Sequence, residues 1–373
     1  MKKCLFGGTF DPIHDAHLAM AEAAKTAFGL DEIVFMTAGD PYFKTSEKHI
    51  TPAAMRLEMT RLAMEGHAGF TASAMEVERE GHTYTCDTLT ELAAEEPDTE
   101  WYFMIGADCV ESIARWYRPD IIFRIATVIG ANRNDQIPRE QLSATAARLQ
   151  KDFNARILIL DWEGQDVSSS GIREQIACGD YDVSVPEKVL DYIREHELYL
   201  QQVDEESILA ELKQTLKPSR FEHTLGVMET AVNLAKIYGE SPTRARIAAL
   251  LHDCAKPEAD ALGHGPAGAI KAKEHFGIKD QGILDAIRTH TTGEPAMPLL
   301  SKIIYAADYI EPGRTKQPRL AQLRKEAGED LDLAVLHISE DTLNYLQQNG
   351  VVIDSKTRDV YNYYKQLLKG TDL

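Results

Sequence analysis

The chain has 373 residues, with 59 acidic against 40 basic side chains, a formal charge of -19 and 44% hydrophobic content. That length suits two domains, each large enough to bury its own core. The acidic excess repels phosphate at long range and argues against a nucleic-acid groove or an anionic membrane surface, so any phosphate chemistry must come from local basic pockets. Up to about residue 200, short β-branched or aromatic runs predict strands at 3–6, 33–37, 101–105, 125–129 and 156–160. Helical patterns fall between them at 16–28, 52–65, 85–94 and 139–152. Such alternation implies an α/β domain with a parallel sheet covered on both faces and ligand sites at the carboxyl ends of its strands. A polar junction, 201–206, follows. Beyond it the apolar spacing is three and four, as in Leu225, Met228, Val232 and Ala235, then Ile283, Leu284 and Ile287, then Ile303, Ile304 and Ala307, and this half reads as all-α.

Cys4, Cys86, Cys109, Cys178 and Cys254 are odd in number and form no Cys-x-x-Cys pair, which fits free thiols in a reducing compartment. Gly7-Gly8 and Asp11 interrupt the apolar start before a signal sequence can form, and no run of about 18 apolar residues follows. A cytoplasmic location is expected.

The segment from Gly7 to His17 follows the first predicted strand and enters the first helix. Gly7 and Gly8 allow a phosphate close to the backbone, and the helix start offers unpaired N–H groups. His14 and His17 can share one face of that turn. A second basic turn, Val167 to Arg173, follows the last predicted strand with three serines and an arginine fork. Either turn alone is ordinary: surface histidines in one, a serine helix cap in the other. Together, at opposite ends of one α/β pattern, they point to a nucleotide phosphate site.

With the stretches Pro41–Lys44, Ile50 to Met59, Tyr84 to Leu89, Ile105 to Asp108 and Trp116, the first 200 residues resemble bacterial nicotinate-nucleotide adenylyltransferases, nucleotidyltransferases with a His-x-x-His signature. The resemblance implies a Rossmann-like domain over 1–200 that transfers AMP from ATP to nicotinate mononucleotide, giving deamido-NAD and pyrophosphate in NAD biosynthesis. It implies ATP contacts from Gly7, Gly8, Thr9 and Phe10, and phosphate contacts from His14, His17, Lys44, Ser169 and Arg173. Asp108 would hold the ATP ribose, Thr85 and Trp116 would face the nicotinate, and Mg2+ would ride on the triphosphate. Ala16, Phe43 and Ser170 depart from the usual glycine, histidine and threonine; altered affinity is expected rather than lost chemistry. Preference for nicotinate over nicotinamide rests on the resemblance alone.

The helical half carries His223, His252, Asp253, His264, His290 and Asp308, ligand types suited to iron, manganese or zinc. Asp308 lies four residues after Ile304, on the apolar face of its predicted helix, where a carboxylate needs a partner. For His275 and His337 a surface or core role suffices. The six residues and their flanks, among them Arg220 to Thr224, Leu250 to Asp253, Ile287 to Gly293 and Ala307 to Arg314, resemble HD-superfamily symmetrical diadenosine tetraphosphate hydrolases. The resemblance implies an HD-type domain over 205–373 with two transition metals, iron being expected, that cleaves diadenosine tetraphosphate to two ADP. Lys256, Arg288 and Arg314 would balance phosphate charge.

The expected protein is thus a bifunctional enzyme whose partners are ATP, nicotinate mononucleotide and diadenosine tetraphosphate, with no nucleic acid and no membrane; a homo-oligomeric state stays open. Two alternatives stand beside it. The helical half could sense nucleotides without hydrolysing them, or the first half could use another acceptor such as phosphopantetheine.

Overall fold

The computed structural model describes residues 1–39, 50–134, 137–259, 263–350 and 353–369. By internal contacts the chain divides into two compact units, one of Met1–Glu174 with Asp182–Leu198, the other of Gln175–Tyr181 with the chain from Tyr199 onward.

The first unit is α/β. Its strands are β1 (Lys2–Gly8), β2 (Glu32–Thr37), β3 (Phe70–Ser73), β4 (Glu100–Gly106), β5 (Ala126–Arg133) and β6 (Ile157–Trp162), all parallel in the order β3-β2-β1-β4-β5-β6. Its helices are α1 (Asp15–Phe28), α2 (Ala53–Met64), α3 (Met75–Glu78), α4 (Thr85–Glu95), α5 (Ala107–Ser112), α6 (Pro119–Ile125), α7 (Arg139–Phe153), α8 (Ser169–Ala177) and α9 (Glu187–Glu195). The central strands are buried on both faces, as Leu5, Phe35, Phe103, Met104 and Val128 show, which explains their near-continuous apolar runs. The five predicted strands are present within a few residues. The short edge strand β3 escaped prediction because Phe-Thr-Ala-Ser has a single large apolar residue. Order along the chain reverses at β1 and β4, and in open parallel sheets the carboxyl ends at such a point leave a crevice for ligands.

The second unit contains no strand among its described residues. It comprises α10 (Glu205–Thr215), α11 (Pro218–Tyr238), α12 (Pro242–Leu251), α13 (His264–Glu274), α14 (Gln281–Thr289), α15 (Leu299–Ile310), α16 (Leu320–Glu329), α17 (Leu331–Gln348) and α18 (Ser355–Lys369). Side-chain oxygens cap several helix starts: Ser241 accepts from the Arg244 N–H and Asp280 from that of Ile283. On α11 the buried stripe is His223, Val227, Ala231, Leu234 and Ala235, whereas Leu225, Met228 and Val232 are only partly buried. The inward face is therefore rotated from the predicted one, and it carries His223 with it. No helix among the described residues is long and apolar enough to cross a membrane.

Candidate functional site

In the α/β unit a cleft of about 730 Å3 opens at the carboxyl ends of β1 and β4. Its walls include Gly7, Gly8 and Thr9 on one side, Ile105 and Gly106 on another, and Thr85, Trp116, Tyr117 and Arg118. Phe10 is buried with φ 49° and folds back over Gly8, where a Cβ would lie 2.6 Å from its ring. Gly8 is thus required by a close approach, and Phe10 acts from beneath the turn.

His14 and His17 stack with ring centroids 3.6 Å apart at the start of α1. The His14 backbone N–H donates to His17 Nδ1 at 3.2 Å, so a neutral His17 carries its proton on Nε2. Burial, reinforced by the positive charge of Arg133, lowers the pKa of His14 to about 4. His14 is therefore a neutral hydrogen-bonding group at pH 7.

The serine-arginine turn packs directly against this one. Ser169 Oγ donates to the Pro12 carbonyl at 2.9 Å and Arg173 Nη1 to the Asp11 carbonyl at 2.6 Å, while Ser168 Oγ accepts the Gly171 N–H. The two turns that sequence places about 160 residues apart meet on a shared backbone. Asp108 sits on the first turn of α5, its carboxylate 2.5 Å from where a Gly106 Cβ would stand. Thr85 opens α4, and the Trp116 indole lies across from Phe103 at 6.1 Å between centroids. Lys44 lies outside the described residues.

Two cations of this unit were not predicted. Arg56 on α2 is 1% exposed and donates to the carbonyls of Thr51, Thr9 and Gly39 at 2.8, 2.6 and 3.0 Å, pinning the glycine turn from behind. Its signal was an arginine in phase with Met59, Thr60 and Ala63 on the buried face of a helix. Arg133, at the end of β5, donates to the Gln165 and Val167 carbonyls and to Asp166, which fastens the approach to the serine-arginine turn.

In the helical unit the ligand-type side chains gather at helix ends. His252 and Asp253 follow α12, His264 opens α13, His290 follows α14, Asp308 sits in the last turn of α15 and His223 in the second turn of α11. One ligand atom from each of His223, His252 and Asp308 falls within 4.8 Å of the others, and so do those of His252, Asp253 and His290. His264 Nε2 lies 3.2 Å from Asp253 Oδ1. Asp308 is part-exposed rather than fully buried, and its partners are His223 Nε2 at 2.9 Å and Arg314 Nη2 at 2.8 Å.

The donor set fits metal ions. His252 and His290 each donate from Nδ1 to the carbonyl three residues earlier, Ala249 and Ile287, at 2.6 and 2.7 Å, which turns Nε2 inward. His223 Nε2, His252 Nε2 and Asp253 Oδ1 are buried and make no well-aligned hydrogen bond among the described residues; each instead faces another ligand-type atom at 2.9–3.4 Å, an arrangement that suits a shared cation. Burial would raise the Asp253 carboxyl, yet the charge of His252 and the adjacent His264 and His290 outweigh it and hold the group well below the usual carboxylate range.

Of the three predicted cations here, two reach the cluster. Lys256 Nζ donates to His264 Nε2 at 2.8 Å and lies 3.6 Å from Asp253, and Arg314 forks over Asp308. Arg288 is instead taken up bidentately by Glu294 at 3.0 Å, with Asp285 at 3.2 Å. Its helix turns it toward those carboxylates. Arg220, not predicted, lies one turn before His223 and donates from Nη1 to Asp253 Oδ2 at 2.9 Å while one-third exposed.

A doubly wound sheet with a glycine-histidine turn, followed along the chain by a helical unit with a His-Asp cluster, is the architecture of a nucleotidyltransferase joined to an HD domain. A cytidylyltransferase-like family model matches residues 5–175 and an HD-domain model residues 220–313. A "Probable nicotinate-nucleotide adenylyltransferase" of Dehalococcoides mccartyi is 40% identical over 206 residues, 54% of this chain and 98% of the relative. Another, from Clostridium kluyveri, is 39% identical over 202 residues, 53% of this chain and 99% of the relative. Through its first half the chain belongs to the nicotinate-nucleotide adenylyltransferase family. Among solved structures, an HD superfamily hydrolase described as involved in NAD metabolism, from Clostridium acetobutylicum, shares 40% identity over 44% of this chain and 97% of its own, with a TM-score of 0.41. The Plasmodium falciparum nicotinic acid mononucleotide adenylyltransferase complexed with NaAD shares 19% identity over 53% of this chain and 97% of its own, with a TM-score of 0.44.

Proposed function

We propose that the protein is a bifunctional enzyme. Its α/β unit joins ATP to nicotinate mononucleotide, giving deamido-NAD and pyrophosphate, and its HD unit hydrolyses diadenosine tetraphosphate with one water to two ADP. The observation that supports the transfer reading best is the cleft at the carboxyl ends of β1 and β4, with the glycine turn in its wall and the serine-arginine turn hydrogen-bonded to the segment just after it. A phosphate monoester is ionised at pH 7, so its oxygen attacks the ATP α-phosphorus without a general base as the bond to pyrophosphate breaks. The protein's part is alignment and charge neutralisation. His17 offers Nε2–H, neutral His14 offers a hydrogen bond without the cost of a buried charge, and the α1 start adds its dipole. Mg2+ would enter on the triphosphate. Thr85 and Trp116 line the far end of the cleft, where the nicotinate would rest. Pyrophosphate release from ATP with nicotinate mononucleotide, nicotinamide mononucleotide or phosphopantetheine tests this reading; release with phosphopantetheine alone would refute the acceptor.

For the HD unit the supporting observation is the convergence of His223, His252, Asp253, His264, His290 and Asp308 with Lys256 and Arg314 at their rim. Those six would hold two metal ions, iron being our proposal. Such ions supply Lewis acidity and lower the pKa of a bound water. The cations offset phosphate charge, and Arg314 has the fork geometry that suits phosphate oxygens. Metal analysis of the purified protein alongside ADP release from diadenosine tetraphosphate tests it; absence of both would leave a sensor module in its place.

A further inference from the structure

The three inward-facing histidines that donate from Nδ1 differ in what accepts from them. His252 and His290 are fixed by backbone carbonyls, whereas His223 donates from Nδ1 to the carboxylate of Glu311 at 3.0 Å. Glu311 directly follows α15, three residues after Asp308, and is 4% exposed. Its other oxygen accepts the Gly313 N–H, and its carbonyl accepts from the Arg314 N–H and Arg324 Nη2 at 3.0 and 2.9 Å. Arg324 also reaches the Ile310 and Arg314 carbonyls at 2.8 and 3.1 Å. Space for the carboxylate comes from Gly226 on α11, where a Cβ would stand 2.6 Å from Glu311 Oε2. A buried carboxylate is thus held by the Gly313 N–H on one oxygen, while its other oxygen accepts from His223 with Arg314 Nε 3.9 Å away.

We propose that Glu311 is a positioning residue for the HD centre. As a proton acceptor it fixes the His223 proton on Nδ1, directs Nε2 toward Asp308 Oδ1 at 2.9 Å, and ties this histidine to the loop that presents Arg314. The inference rests on reading the cluster as a metal centre, and it extends that reading to a residue without a ligand role. Gly226 belongs to the same device, because α11 must leave room for the carboxylate one turn from the histidine it orients.

The test uses the full-length, metal-free protein titrated with Mn(II), with Glu311→Ala, Glu311→Gln and Gly226→Ala as variants and His223→Ala as the benchmark. Partners of metal-ligating histidines typically contribute about 10–100-fold in affinity. Glu311→Ala and Gly226→Ala should therefore weaken Mn(II) binding by that order, and the near-isosteric Glu311→Gln, whose amide oxygen still accepts, should recover part of it. Nitrogen-15 spectra of the imidazoles, assigned through His223→Ala, should show the Nδ1–H form of His223 in the parent and a mixture in Glu311→Ala. Circular dichroism of each metal-free variant separates this from loss of fold. Parental Mn(II) affinity in both Glu311 variants, or an Nε2–H tautomer in the parent, would overturn the assignment. If the parent binds no Mn(II), the metal-centre reading fails, while the tautomer spectra still decide the role of Glu311.

Discussion

The two units approach phosphate from different electrostatic starting points. In the α/β cleft the recognition groups are backbone turns, a helix start and two stacked histidines, one of them held neutral by burial and by Arg133. In the HD unit the centre is a carboxylate, Asp253, surrounded by imidazoles with cations at the rim. Under the proposed function the first arrangement would receive an anion directly, and the second would take cations and meet the anion through them. That contrast would let a chain of charge -19 hold the two phosphate sites proposed above. Long-range repulsion falls off within about 8 Å in physiological salt, and local donors decide the rest.

The contrast breaks if one substitution silences both sites. Asp253→Ala should reduce diadenosine tetraphosphate hydrolysis to the level of metal-stripped protein and leave deamido-NAD synthesis intact. His17→Ala should lower synthesis by about 10^2–10^3, as expected for one lost donor to a developing oxyanion, and spare hydrolysis. Loss of both activities from either change would show that the units do not work independently.

Arg56 sharpens the comparison at the level of stability. Replacing it by methionine keeps volume but strands three carbonyls that now accept from the guanidinium. We expect a loss of about 3 kcal/mol, from buried acceptors left unpaired. All three tryptophans, Trp101, Trp116 and Trp162, lie in the α/β unit, so their fluorescence follows that unit alone. An unchanged fluorescence melting curve for Arg56→Met would show that the turn does not depend on this pin.

Arg220 probes the other unit. Its Nη1 is on Asp253, its side chain is one-third exposed, and its remaining guanidinium donors can meet a phosphate. Arg220→Gln should raise KM for diadenosine tetraphosphate about 10-fold, the scale of one charge-assisted hydrogen bond. A fall in metal content with KM unchanged would instead make Arg220 a support for Asp253.

Much of this organisation was legible from the residues. Central strands such as β4 and β5 announce themselves because burial on both faces demands unbroken apolar runs, and the glycine-histidine and serine-arginine turns stand out because their residue types together suit the phosphate contacts proposed for them. The partners of Arg56 and Glu311 were not legible, since each acts through backbone groups or one histidine brought near only by the fold; the phase of Arg56 with the buried face of α2 signals only that it needs partners. Arg288, to which the resemblance assigns a phosphate role, has its fork on Glu294, six residues on, a pairing that only the fold reveals. The face of α11 was misjudged because Leu225, Met228 and Val232 keep helical spacing on a half-buried flank, while small residues such as Ala231 fill the core.

The smallest expected effect concerns the protonation of His14. Its folded-state pKa of about 4 lies below the ordinary 6.5, so between those values the unfolded chain binds more protons than the folded one. Stability therefore falls as pH drops from 6.5 towards 4, by about 1 kcal/mol at pH 5.5 from this group. In tryptophan fluorescence, which reports on the α/β unit, His14→Gln should flatten the melting temperature against pH over that window without altering it at pH 7.5. A polyphosphate beside the ring favours the imidazolium, so ATP binding at pH 5.5 should take up protons, seen as a binding enthalpy that depends on the ionisation enthalpy of the buffer. The same titration with His14→Gln should lose most of that dependence. Equal proton uptake in parent and variant would place the titrating group elsewhere in the cleft and remove the neutral histidine from the contrast between the two sites.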